Sequence, residues 1–74
     1  MFELKEVERR AKLLGWYFER FSRNIFLLRD KKIDNVWTFS GLIDDDHKSE
    51  RSQCSIRAAM DLIFREEEYR SHEI

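Results

Sequence analysis

Two apolar runs, Trp16-Tyr17-Phe18 and Ile25-Phe26-Leu27-Leu28, place large side chains on both faces of what the residue types predict to be adjacent strands. A chain of 74 residues has too little mass to cover both faces of a sheet. A domain this small buries only about 60% of the surface its unfolded chain exposes, so it depends on using one core fully. The surplus apolar surface sets the first expectation, which is a binding partner.

The stretch before these runs is helical in pattern. Leu4, Val7, Ala11 and Leu14 recur at three- and four-residue steps, which gathers them into one apolar stripe. Glu3, Glu6 and Glu8 lie towards its positive end and Arg9, Arg10 and Lys12 towards its negative end, the arrangement the helix dipole favours. Gly15 follows the last periodic residue, and a glycine there predicts a left-handed cap and the end of the helix.

Three strands are predicted next, over 16–21, 24–29 and 33–40, with Ser22-Arg23-Asn24 as a tight connection and Asp30-Lys31-Lys32 as a polar turn. No crossover helix separates them, so the sheet should be an antiparallel meander. From Ser49 or Ser52 the spacing becomes helical again, with Ile56, Ala59, Met60, Ile63 and Phe64 on one face. Glu66-Glu67-Glu68 oppose the dipole near its end, so the tail 70–74 is expected to fray. The fold class that results is α+β: one αβββα domain over 1–74, a three-stranded antiparallel sheet with two helices on one face.

Composition narrows the function classes. Cys54 is the single cysteine, which rules out an internal disulfide framework, and its helical setting predicts a buried, inert thiol. Neither a signal peptide nor a membrane span is expected, and a cytoplasmic setting fits the lone thiol. Residues 1–32 carry nine Lys and Arg against five Asp and Glu, a net of +4, whereas residues 33–74 carry five against ten, a net of -5. A dipolar molecule of this kind orients its partners more than it stabilises its fold.

Chemical signatures are sparse. His47 and His72 are the only histidines, one in the acidic segment Asp44-Asp45-Asp46 and one in the tail, and neither stands at a defined spacing from a nucleophile. The aspartates with His47 and Glu50 lack the alternation and the turn glycine of a calcium loop, so no metal and no cofactor is expected. Gly15 and Gly41 are isolated, which excludes a glycine-rich phosphate loop. The expectation is a protein that is not an enzyme.

Two binding readings remain. The first is a protein partner or a second copy, a homodimer, docked on an aromatic sheet face through Trp16, Phe18, Arg20, Trp37 and Phe39, since aromatics and arginine anchor such patches. The second is nucleic acid, held by Arg9, Arg10, Arg20, Arg23, Lys31 and Lys32 of the basic half, a set interleaved with aromatics as phosphate contact and base stacking require. The layout around Leu13-Leu14-Gly15-Trp16 and through the hairpin resembles the double-stranded-RNA-binding-like fold of HicA-type toxins. That family's catalytic histidine follows a Gly-Ser pair on the second strand, where this chain has Ser22-Arg23-Asn24-Ile25, so the resemblance implies the layout without the activity. In size and style the chain also resembles accessory proteins carried by bacteria and their phages.

Overall fold

The computed structural model describes residues 2–40 and 50–72. Five elements follow one another: α1 (Leu4–Leu13), β1 (Tyr17–Ser22), β2 (Ile25–Asp30), β3 (Asn35–Ser40) and α2 (Glu50–Ser71). The sheet is antiparallel in the order β1-β2-β3, and both helices lie against one of its faces, so the α+β reading of the sequence holds.

α1 begins at Glu3, whose extended backbone presents its carbonyl to the amides of Glu6 and Val7. Its end is a Schellman motif. Gly15 sits at φ 82°, the Gly15 amide donates to the Lys12 carbonyl, and the Trp16 amide donates back to the Ala11 carbonyl at 2.9 Å. The reversal turns Trp16 onto the core beside Ala11, and both are buried. The cap that stops the helix thus also delivers a core side chain.

β1 and β2 meet at a two-residue turn, Arg23-Asn24, with Ser22 paired to Ile25 and a bulge between Arg20 and Ser22 that leaves Phe21 without a partner. β3 begins two residues later than the spacing predicts. The Asp30 carboxylate accepts the Lys32 amide at 3.0 Å and Asp34 adopts φ 55°, so 31–34 forms the turn.

Cross-strand neighbours share a face, and the register sorts every side chain. Phe18, Leu28 and Trp37 form one row towards the helices, and Arg20, Phe26 and Phe39 form the next. Phe26 and Leu28 are fully buried against Leu4, Val7 and Ala11 of α1 and Ile56, Ala59, Met60 and Ile63 of α2. Each large side chain in this set stabilises the fold by about 1.5–3 kcal/mol.

α2 runs to Ser71, further than its acidic end predicts, because its charges are paired: Arg70 meets Glu66 at 3.2 Å one turn back, Glu67 meets Arg10 of α1, and the Ser71 hydroxyl donates to the Glu68 carbonyl. Cys54 is exposed rather than buried, since it projects from the flank of α2 and not from the Ile56 stripe. Phe64 sits at the margin of the stripe, edge-on to Phe2 with ring centroids 5.8 Å apart. Gln53 ties the N-terminal segment to α2 by accepting from the Phe2 amide and donating to its carbonyl. The acidic segment Asp44-Asp45-Asp46 with His47 lies outside the described residues.

Candidate interaction surfaces

The aromatic residues expected to form an open docking face occupy the covered one. Trp16 is only 4% exposed, and Phe18, Trp37 and Phe39 pack against the core from the sheet side. Trp16 and Trp37 meet at a tilt of 33° with centroids 4.7 Å apart, Phe26 stacks on Phe39 at 5.1 Å, and Phe18 meets Phe26 at 5.7 Å. Arg20 shares this parity but lies beyond the helices at the hairpin end, where its guanidinium donates to the Ser22 and Arg23 carbonyls. The physical reason is area: aromatic rings bury more apolar surface than any other side chains, so the parity that holds most of them faces the helices.

The opposite parity is left uncovered by any described element. It presents two rows, Tyr17-Arg29-Val36 and Glu19-Leu27-Thr38, followed by Ile25 beside Ser40. Tyr17 and Val36 are 51% and 46% exposed, and Ile25 and Leu27 are half-buried by their neighbours. Phe21, at the bulge, is exposed next to them. Lys31 reaches over the Tyr17 ring, its Nζ 4.3 Å from the centroid, a cation–π contact at the end of the sheet. Glu19 and Arg29 have opposite charge, and neither makes an ion pair with a described residue.

A second surface follows the edge of β3. A groove of about 510 Å³ runs between that strand and α2, floored by Trp37 and Phe39 and walled by Ala58, Asp61, Leu62 and Arg65. Ser55 fixes one end of it by donating from its hydroxyl to the Ser40 carbonyl at 2.7 Å.

No family model, curated protein or solved structure matches the chain.

The six basic residues considered for nucleic acid are divided among three places. Arg9 and Arg10 are on α1, and each pairs with Glu6; Arg10 also pairs with Glu67. Arg20 and Arg23 are at the β1–β2 turn, and Lys31 and Lys32 are at the β2–β3 turn. Six-residue strands hold those two turns about 17–20 Å apart, so the sheet separates the two basic pairs. Lys5 and Lys12 also lie beside glutamates of α1. Among the described residues there is no group of three or more His, Cys, Asp and Glu side chains placed to hold a metal ion, and no helix is long and apolar enough to cross a membrane.

The sequence places Tyr17, Ile25, Leu27 and Val36 on strand faces opposite Phe18, Phe26, Leu28 and Trp37 without deciding which side the helices cover, and the site residues expected from it were those of the other parity. Alternation alone does not mark them, because polar residues stand on both parities: Glu19, Arg29, Thr38 and Ser40 on the open side, Arg20, Asp30 and Asn35 on the covered one.

Proposed function

We propose that this chain is a non-catalytic, cytoplasmic interaction domain that docks another protein on the free face of its sheet. The observation that carries the reading is the composition of that face: Tyr17, Ile25, Leu27 and Val36 form an apolar centre, with Glu19 and Arg29 set into it and left without ion-pair partners among the described residues. Contiguous apolar surface with embedded charge is the composition of a recognition patch, the apolar area supplying affinity and the charges fixing orientation. The ion pairing of Arg9, Arg10, Lys5 and Lys12 with glutamates favours this reading over phosphate binding, since a paired cation must lose its carboxylate before it can neutralise a phosphate.

The test is site-specific photo-crosslinking in cells from position 21, the exposed bulge residue beside the face and away from the β3 edge. A discrete adduct with one protein that disappears with Leu27→Glu and Arg29→Glu, while the purified variants keep the wild-type circular dichroism, supports docking at this face. Adducts that persist unchanged in both folded variants would remove the free face from the contact.

A further inference from the structure

β1 and β3 are the two edges of the sheet, and they differ in how they are protected. β1 carries Glu19 and Arg20 and ends in a bulge, both devices that discourage another strand from pairing there. β3 carries neither. Its six residues, Asn35–Ser40, include no charge in a chain that is 39% charged, and it pairs with β2 without a register shift. Val36, Trp37, Thr38 and Phe39 all favour strands, and one side of this strand has no described partner.

The groove beside β3 adds a second requirement. Trp37 and Phe39 are only half-buried where the strand meets α2, and the wall above them holds Asp61 and Arg65, one turn apart on α2. Neither Asp61 nor Arg65 makes an ion pair with a described residue. An acid and a base side by side at a symmetric contact are self-complementary, because a two-fold axis between them sets each opposite the other.

From these observations we infer that the β3 edge is a homodimer interface, in which β3 of a second copy pairs antiparallel with β3 and the two sheets join into one of six strands. Parity fixes the register. A two-fold axis normal to the sheet keeps both helix layers on one side, so residues facing across it must share a face, and the axis passes through a residue rather than between two. Placed at Trp37, it brings Trp37 against its own copy over the grooves and sets Val36 opposite Thr38 on the free face. Trp37 lines the same hollows as Leu62 and Arg65 of α2, so the axis passes beside the Asp61–Arg65 turn and turns Asp61 of one copy towards Arg65 of the other. Main-chain hydrogen bonds supply affinity, and the charge pair sets the register.

The test is light scattering of the purified chain with charge reversals at these two exposed positions. Wild type should elute as a dimer of 18.2 kDa, twice the 9.1 kDa chain. Asp61→Arg and Arg65→Asp should each lower the dimer affinity about tenfold by setting like charges across the axis. Mixed one to one, the two variants should recover a heterodimer, because one supplies two cations and the other two anions. A wild-type monomer at high micromolar concentration overturns the inference. So does a dimer that both reversals leave intact, or one lost in the single variants and not recovered on mixing. A dimer insensitive to both reversals but abolished by Leu27→Glu assigns self-association to the free face, which rejects this interface and not the docking face.

Discussion

The Arg10 guanidinium joins the two helices to each other: its Nη1 lies 3.1 and 3.2 Å from the two carboxylate oxygens of Glu67, its Nε donates to Glu6, and its Cζ sits 5.3 Å from the centre of the Phe64 ring. One side chain thereby spans 57 residues of sequence at the rim of the core. Both partners are about one-third exposed, so solvent screens the charge, and the contact with Phe64 matters as much as the ion pair. Arg10→Ala should cost about 1–2 kcal/mol, and Glu67→Gln about 0.5–1 kcal/mol. Urea unfolding of the two variants and their double mutant checks this. A coupling energy of zero would mean that Arg10 acts through Glu6 and Phe64 and not through Glu67.

Gly15 is the second fixed point. Its φ of 82° is open to glycine and strained for any residue with a Cβ, although nothing lies within 4 Å of where that Cβ would stand. Gly15→Ala should therefore cost about 1 kcal/mol from backbone strain without displacing neighbours. The Trp16 fluorescence environment should be unchanged in the variant. A spectral shift would show that the cap, and not only its energy, had changed.

The elements were legible from local signals, and the choice of sheet face was not. Leu4, Val7, Ala11 and Leu14 encode α1 by spacing alone, and Gly15 encodes its end, because both depend on neighbours within a turn or two. The side of the sheet that the helices cover depends on the summed area of side chains from three strands, and both parities of β1 and β2 contain large apolar residues. β3 breaks the ambiguity: Trp37 and Phe39 outweigh Val36 and Thr38, and pairing then carries that parity to Phe26, Leu28 and Phe18. The groove beside β3 was out of reach for a different reason, since Asp61 and Arg65 read as ordinary solvated charges until α2 is laid along the strand.

Ser55 holds β3 to α2 through its bond to the Ser40 carbonyl. Ser55→Ala should cost about 1 kcal/mol, the usual net worth of a partly buried hydrogen bond. Its effect should be local: hydrogen exchange at the β3 amides next to Ser40 should quicken, while amides of α1 keep their protection. Equal acceleration throughout would mean that the bond only contributes to global stability.

The sharpest prediction sets neighbouring residues of opposite parity against each other. Trp37 packs against Trp16 over the core, ring centroids 4.7 Å apart, and Val36 points away from it, 46% exposed. Trp37→Asp removes an aromatic contact and brings a carboxylate against apolar side chains, a loss of about 3–5 kcal/mol or more. A single core in a domain of this size rarely supplies more than about 3–5 kcal/mol of net stability, so that variant should be unfolded at room temperature. Val36→Asp should remain folded and lose at most about 1 kcal/mol from poorer strand preference. Thermal unfolding followed by circular dichroism decides between them. A folded Trp37→Asp beside an unfolded Val36→Asp would mean that the helices cover the other face, and the docking face and the β3 interface would both have to be redrawn.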